Sequence, residues 1–333
     1  MKICVVGAGA IGGYMAVRLA DAGHEVTAIA RGPHLAAIRA NGLTLLEGDE
    51  RRVAHVAATD RIEEAGPQDL VLLALKAHQI AQVVGALPSL FGDDTVMVTL
   101  QNGIPWWYFQ KLGGPYADRV VETVDPGGVL FTAIDPDRLI GCIAYPAATV
   151  AEPGVIQHVE GNKFPVGELD GQVTDRLTRV SAVFEQAGFT SRVLDDIRSE
   201  IWLKLWGNLT FNPISALTHA TLVDICQFPL SRTLAATMMT EAQAVAERLG
   251  AHFRVPMERR IAGAEAVGRH KTSMLQDVEA GKPLEIDGML GVVVELAEVT
   301  GVEVPTVRAL YACVSLLNRT LQDGGLRIAG VPR

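Results

Sequence analysis

The stretch Lys2-Ile-Cys-Val-Val-Gly7-Ala8-Gly9-Ala10-Ile11-Gly12 decides the fold of the N-terminal half. Its first part is a continuous apolar run, which is typical of a strand buried on both faces of a parallel sheet. Its second part matches GxGxxG, and a helical pattern follows from Ile11 to Ala22. A strand, a glycine turn and a helix in this order open a βαβ unit that binds a dinucleotide at the helix N-terminus.

The three glycines of this turn have separate expected roles. Gly7 allows the tight turn, Gly9 lets the backbone approach a pyrophosphate, and Gly12 permits close helix–strand packing. The alternative is a purely structural turn, because glycine supplies 33 of the 333 residues and such patterns recur by chance. The position between a strand and a helix favours cofactor binding. The predicted cofactor-binding residues of the turn are Gly7, Ala8, Gly9, Ala10, Ile11 and Gly12.

The end of the second predicted strand, Glu25–Ala30, indicates which dinucleotide binds. NAD sites usually carry Asp or Glu there, to hold the ribose 2′-hydroxyl. This strand instead runs into Arg31, whose planar cation suits a 2′-phosphate. The alternative is an ordinary solvated Arg, and the pattern favours NADP(H).

Polar residues follow two further predicted strands, Asp69–Leu75 and Thr95–Leu100. Lys76 follows the first directly, and Asn102 follows the second. Ligands of doubly wound sheets bind beyond the carboxyl ends of the strands, so both side chains are candidates for cofactor or substrate contacts. The alternatives are a solvated lysine and a turn-forming Asn-Gly pair.

The pattern of predicted strands and helices changes twice after this point. Pro and Gly interrupt short β-like pieces between Val120 and Gly167, which predicts antiparallel strands that extend the sheet. After Leu194 the strands give way to helical patterns, so the predicted domains are 1–194, α/β, and 195–333, all-α. The final stretch from Gly324 is expected to be loose. The remaining predicted helices are Leu177–Ala187, Ile197–Leu217, Thr233–Leu249, Met257–Val267 and Leu284–Val299.

A polar stripe crosses the apolar helix that opens the second domain. Lys204, Asn208 and Asn212 recur every four residues and therefore share one face. A desolvated lysine has a lowered pKa, which suits a proton donor to a carbonyl. The alternative is a lysine that extends past apolar surface, with the asparagines as caps. Pro213 is expected to kink or end the helix.

A second polar cluster lies further along the chain. Ser273, Glu285 and Asp287 stand in the stretches Ser-Met-Leu-Gln-Asp and Glu-Ile-Asp. Ser273 could bind a carboxylate or a ketone, and Glu285 could bind a hydroxyl or balance Lys204. Spacing alone describes all three as capping residues and assigns them no chemistry.

Composition excludes several classes of protein. Lys and Arg number 29 against 38 Asp and Glu, a formal charge of −9 with no basic run, which argues against nucleic-acid and anionic-membrane partners. The four cysteines and eight histidines form no metal-binding spacing. No apolar run is long enough to span a bilayer, and the apolar run at the N-terminus is too short for the core of a secretory signal. A reduced, cytoplasmic protein is expected.

These motifs together resemble the ketopantoate reductase (2-dehydropantoate 2-reductase) family. The resemblance spans nearly the whole chain in the family's order, and its most specific parts are the Lys204–Asn208 helix and the Ser273 and Glu285 stretches. It implies an α/β Rossmann-type N-terminal domain and a helical C-terminal domain like that of 6-phosphogluconate dehydrogenase. The many apolar helices of the second domain add the expectation of a homodimer through that domain.

The resemblance also implies roles for the candidate residues. Lys204 would be the general acid, and Glu285 would orient the substrate and Lys204. Arg31 would contact the 2′-phosphate, and Lys76 and Asn102 would lie near the ribose, nicotinamide and substrate. The implied substrate-binding residues are Asn102, Asn208, Asn212 and Ser273.

The implied reaction is the reduction of 2-dehydropantoate to (R)-pantoate by NADPH, on the route to pantothenate. Two departures bear on the substrate: His270 stands where well-studied members have Asn, and the aromatic run Trp106–Phe109 could shape the pocket or pack at a subunit interface. The alternatives are a reductase of another 2-keto acid and a non-catalytic NADP-binding sensor.

Overall fold

The computed structural model describes residues 1–324, which form two compact units. The first unit holds Met1–Val120 and Asp125–Ile197, and the second holds Val121–Val124 and the chain from Arg198 onward. The predicted boundary near residue 194 lies close to this division. The sequence gives no sign that Val121–Val124 belong to the second unit. The stretch beyond Gly324, expected to be loose, lies outside the described residues.

The first unit is built on twelve short strands and five helices. The helices are α1 Ala10–Asp21, α2 Gly32–Asn41, α3 Ala77–Ile80, α4 Val129–Ala133 and α5 Asp175–Gln186. The strands are β1 Lys2–Val6, β2 Glu25–Ile29, β3 Leu43–Glu47, β4 Glu50–Ala54, β5 Ala57–Thr59, β6 Gln68–Leu73, β7 Phe91–Thr99, β8 Leu139–Cys142, β9 Ala147–Glu152, β10 Val155–Glu160, β11 Val166–Gly167 and β12 Val193–Leu194.

The main sheet has the doubly wound order expected of a Rossmann fold. Its eight strands run β12-β11-β8-β7-β6-β1-β2-β5. The part from β5 to β8 reproduces the order 3-2-1-4-5-6 with every neighbour parallel. The strand order reverses between β1 and β6, and a ligand of such a sheet binds beyond the carboxyl ends of these strands.

The prediction of antiparallel strands extending the sheet between Val120 and Gly167 is only partly right. β8 joins the main sheet in parallel with β7, and β11 adds the antiparallel pair. β9 and β10 instead form a separate four-stranded sheet of order β4-β3-β10-β9. Proline and glycine breaks limit strand length, but they do not say which partner a strand finds.

The glycine helix α1 contacts strands of both sheets. Its side chains Tyr14, Met15 and Leu19 are fully buried in one core with Leu45 of β3 and Ile156 of β10. Cys4 packs inside β1 as predicted, and burial raises the pKa of its thiol to about 12. The helix that presents the phosphate turn is therefore held on two sides.

The regular secondary structure in the described part of the second unit is all helical. Its helices are α6 Ile197–Thr218 (whose first residue belongs to the first unit), α7 Leu222–Gln227, α8 Pro229–Arg248, α9 Met257–Ala266, α10 Ser273–Glu279, α11 Val292–Thr300 and α12 Pro305–Gln322, and a π-helical turn covers Asp287–Gly291.

Two helix predictions need correction, and one long helix was not predicted. α6 passes through Pro213 and continues to Thr218, because residues 211–216 are all buried and their packing offsets the hydrogen bond that proline lacks. The helix expected from Leu284 begins at Asp287, with the π-helical turn. The 18-residue α12 was missed, although Pro305 at its start and buried Val307, Val314 and Leu321 follow helical spacing.

Candidate functional site

The glycine turn, Gly7–Gly12, has the geometry that its sequence predicts. Gly7 has a φ of +102°, a conformation that other residues rarely adopt. The backbone N–H groups of Gly7 and Ala8 donate to the Ile29 carbonyl oxygen at 3.2 and 2.9 Å, which ties the turn to the end of β2. Gly9 is the N-cap of α1 and brings no side chain to cap it. The first-turn N–H groups can therefore receive an anion.

The turn distinguishes a packing glycine from a ligand-facing glycine. A Cβ on Gly12 would lie directly against the Gly7 carbonyl oxygen and 2.9 Å from Ala74 Cβ. A Cβ on Gly9 would meet no atom within 4 Å. The structure thus confirms close packing at Gly12 and leaves open space beside Gly9.

We expect Gly12→Ala and Gly9→Ala to fail in different ways. Gly12→Ala overpacks the turn and should lower the free energy of unfolding by about 1–3 kcal/mol or more. Gly9→Ala should cost less than about 1 kcal/mol, since its φ of −72° suits alanine. It should still weaken binding of a dinucleotide by roughly tenfold, about 1.4 kcal/mol. Urea unfolding and fluorescence titration measure the two effects. Equal stability losses in both variants would contradict the assignment.

A cavity of about 600 Å³ opens beside this turn, within the first unit. That volume is in the range of small-molecule sites. It lies at the carboxyl ends of β1 and β2 and is also lined by Leu75, which follows β6, so it adjoins the point between β1 and β6 where the order of the main sheet reverses. Its lining residues are Val6, Gly7, Ala8, Gly9, Ile29, Ala30, Arg31, Pro33, His34, Leu75, Gln79, Val83, Val150, Ala151, Glu152 and Pro153.

Arg31 stands at the mouth of this cavity as an exposed side chain. It is the N-cap residue of α2, and one residue, Ala30, separates it from the end of β2. No acid occupies the end of β2. Glu152, at the end of β9, is the acid that lines the cavity. A cation at the end of β2 suits an anionic substituent on the ribose.

His34 is a site residue that the sequence analysis missed. Gly154 N–H donates to its Nδ1 at 3.0 Å, so the Nε2–H donates to the Ala8 carbonyl oxygen at 2.8 Å. One imidazole thus joins the glycine turn to the β9–β10 hairpin, which forms part of the cavity wall. The partners lie far apart in sequence, so no local pattern marks this residue.

Lys76 and Asn102 lie beyond the carboxyl ends of neighbouring strands, as predicted, but neither lines the cavity. Lys76 is half-buried, and its backbone N–H donates to Gln79 Oε1 at 3.2 Å. Asn102 is exposed. The Gln101 amide donates to the carbonyl oxygens of Leu73 and Leu75 at 2.7 and 3.2 Å, which fixes the two strand ends together.

The polar stripe lies on α6 of the second unit. Lys204 and Asn208 are half-buried, and Asn212 is buried. Asn212 Nδ2 donates to the Met289 sulfur at 3.7 Å, a weak hydrogen bond that joins the stripe to the π-helical turn. The stripe is therefore partly inside the fold and not an ordinary solvated face.

Ser273 and Glu285 lie on the same unit. Ser273 is the exposed first residue of α10, while Thr272 is its N-cap and accepts from Leu275 N–H at 3.3 Å. The capping interpretation of Ser273 is thus wrong, since Thr272 performs that function. Glu285 is half-buried and precedes the π-helical turn by two residues.

Of the two features that set this sequence apart, the aromatic run has a structural explanation, whereas His270 contributes a backbone contact that does not depend on its side chain. Trp106, Trp107, Tyr108 and Phe109 are at most 2% exposed, and Trp107 Nε1 donates to Thr99 Oγ1 at 3.0 Å. These rings are buried inside the chain and leave no surface for a subunit interface. The His270 carbonyl accepts from Leu222 N–H at 3.1 Å, which anchors the start of α7.

Two kinds of structure are absent from residues 1–324. None of the helices there combines the length and apolarity needed to cross a membrane. No group of three or more His, Cys, Asp or Glu side chains among those described could hold a metal ion.

Family models match both units. The model described as ketopantoate reductase PanE/ApbA matches residues 3–171, and its C-terminal counterpart matches residues 196–318. The chain belongs to the ketopantoate reductase family. Membership and the glycine turn together make it a Rossmann-type NAD(P)-dependent oxidoreductase.

Individual relatives agree with this membership. A 2-dehydropantoate 2-reductase of Mesorhizobium japonicum is 51% identical over 95% of this chain and 98% of its own. A crystal structure from Ralstonia solanacearum MolK2, assigned as a ketopantoate reductase, has a TM-score of 0.92 at 37% identity, covering 96% and 98% of the two chains. A D-mandelate dehydrogenase with NADH and anilino(oxo)acetate shares the fold, with a TM-score of 0.84 at 21% identity over 97% and 99%.

Proposed function

We propose that this protein is an NADPH-dependent 2-dehydropantoate 2-reductase, which reduces ketopantoate to (R)-pantoate for pantothenate synthesis. The observation that carries the activity is the 51% identity to such an enzyme over nearly the full length of both chains. The features of each unit support it, since the first unit has a cavity beside the glycine turn and the second unit carries the partly buried polar stripe on α6.

The choice of NADPH is supported by Arg31. The D-mandelate dehydrogenase with NADH shares this fold, so the fold alone does not select the cofactor. Arg31 presents its charge at the cavity mouth, and the glycine turn offers first-turn N–H groups for the pyrophosphate. Arg31 would hold the 2′-phosphate of NADPH, and the N–H groups of the glycine turn would hold its pyrophosphate.

Lys204 is the residue that we assign to proton transfer. When bound, NADPH supplies the hydride that reduces the C2 ketone. The Lys204 ammonium donates a proton to the ketone oxygen, which would otherwise carry the developing negative charge. The overall balance is one hydride and one proton added across the C=O bond.

The remaining candidates would bind and orient the keto acid. Asn208 and Asn212 continue the Lys204 face of α6, and their amides suit the substrate carboxylate and hydroxyl. Ser273 Oγ is exposed and is not the N-cap group of α10. Glu285 would orient Lys204 and the substrate, and Lys76 and Asn102 would contact the ribose, nicotinamide or substrate. The homodimer and the cytoplasmic location stay predictions.

The test is a steady-state assay of NADPH oxidation with ketopantoate and a panel of other 2-keto acids, from pyruvate to branched and aromatic members. We expect ketopantoate to have the highest kcat/KM of the panel. A different keto acid with an equal or higher kcat/KM would replace the named substrate and leave the reaction type intact. NADPH binding without turnover of any keto acid would favour a non-catalytic sensor.

A further inference from the structure

We propose that Tyr311 and Asn318, on α12, are positioning residues that hold the segment bearing Glu285. This inference rests on the proposed function, because it concerns the orientation of Glu285 toward substrate and Lys204. The two residues are about two helical turns apart and therefore lie on the same face of α12. Each one binds the chain on a different side of Glu285.

Asn318 holds the residue that precedes Glu285. Leu284 N–H donates to Asn318 Oδ1 at 3.0 Å. Leu284 itself is buried, and Asn318 is half-buried. A backbone N–H in such a place needs a partner, and the asparagine oxygen supplies it where no regular secondary structure does. The backbone on the N-terminal side of Glu285 is thereby fixed to α12.

Tyr311 holds the residues that follow Glu285. Its hydroxyl donates to Asp287 Oδ1 at 2.7 Å. Burial, together with the hydrogen bond to Asp287 and its charge, raises the pKa of Tyr311 to about 12, so the hydroxyl keeps its proton. The ring also lies against the π-helical turn, where a Cβ on Gly291 would come within 2.9 Å of the Tyr311 oxygen.

The π-helical turn adds rigidity directly after Glu285. The N–H groups of Met289, Leu290 and Gly291 all approach the Ile286 carbonyl oxygen, at 3.2, 2.7 and 3.3 Å. Turns of this kind recur at functional sites. Met289 in this turn also receives the hydrogen bond from Asn212. Glu285 therefore sits on a short segment fixed at both ends and joined to the α6 stripe.

The test compares Asn318→Leu and Tyr311→Phe with two controls. Asn318→Asp keeps an oxygen that can accept from Leu284 N–H, and Thr320→Val removes a hydroxyl that donates within α12, to the Leu316 carbonyl oxygen. We expect the two test variants to lower kcat/KM for ketopantoate roughly tenfold, the effect of misplacing a positioned group. Asn318→Asp should stay within about threefold of wild type, and Thr320→Val should be unchanged.

Cofactor binding separates positioning from general damage. The KM for NADPH should stay within about twofold in all four variants, because the cofactor cavity belongs to the first unit. Unchanged kcat/KM in both test variants would overturn the inference. A parallel rise in the KM for NADPH with loss of thermal stability would also overturn it, since both changes indicate a structural role.

Amide hydrogen exchange gives a readout that does not depend on turnover. Exchange at Leu284 should be faster in Asn318→Leu than in wild type and close to wild type in Asn318→Asp. Unchanged exchange in Asn318→Leu would contradict the positioning contact. A wild-type protein that turns over no keto acid would contradict the proposed function, whereas an active wild type with unaffected variants would contradict this inference alone.

Discussion

Lys204→Ala is expected to lower kcat for ketopantoate by roughly a hundredfold or more. The ketone oxygen gains negative charge as hydride arrives, and without the ammonium no positioned donor neutralises it. Cofactor affinity should be preserved, because the cavity that would hold NADPH is lined by residues of the first unit. Single-turnover kinetics and fluorescence titration of NADPH measure the two quantities separately.

The matched control for Lys204 is Lys271→Ala. The Lys271 ammonium pairs with Glu279 at 2.7 Å on the surface of the same unit, and such exposed pairs contribute about 0–1 kcal/mol to stability. This variant should keep wild-type kcat. If Lys204→Ala also kept wild-type kcat, Lys204 would not be the general acid. A wild type and variant that both bind NADPH but do not turn over would point to the sensor alternative.

Arg31→Gln is expected to raise the KM for NADPH by roughly tenfold to a hundredfold while the KM for NADH changes little. Hydrogen bonds to charged groups contribute about 1.5–3 kcal/mol, and each 1.4 kcal/mol corresponds to tenfold in affinity. NADH lacks the 2′-phosphate and so loses no such contact. Steady-state kinetics with both cofactors at saturating keto acid measure the change in preference.

Arg61→Gln is the control for this second prediction. Arg61 is exposed, pairs with Glu64 at 3.4 Å and does not line the cavity. Its replacement should leave both KM values unchanged. Wild-type preference for NADH, or equal losses with both cofactors in Arg31→Gln, would contradict the assignment of Arg31 to a 2′-phosphate.

The local parts of the fold could be predicted from the sequence. The run from Lys2 to Gly12 predicts a strand, a turn and a helix, and the structure has them within one residue of the expected bounds. The roles of Gly7 and Gly12 follow from backbone sterics, which depend on a few neighbouring residues. Lys204, Asn208 and Asn212 share one face for the same reason, since helical spacing is a local property.

The parts that the sequence did not predict depend on distant pairing. β3 pairs with β10 in parallel, and residues 44–47 face residues 155–158. Nothing in the sequence of either strand predicts that it pairs with the other. His34 belongs to the same class, because it acts between Ala8 and Gly154. The helical spacing of α12 could have predicted that Tyr311 and Asn318 lie on one helix face. It could not have predicted their contacts with the Glu285 segment, because that segment pairs with α12 only in the folded chain.

The β9–β10 hairpin has a consequence for how the protein is made. Val150, Ala151 and Pro153 line the cavity that opens at Gly7, so this wall is encoded far along the chain from the glycine turn. A nascent chain that has completed only the first βαβ unit lacks this wall. Such long-range closures also form slowly. The cofactor therefore meets a finished pocket only after nearly half of the polypeptide has left the ribosome.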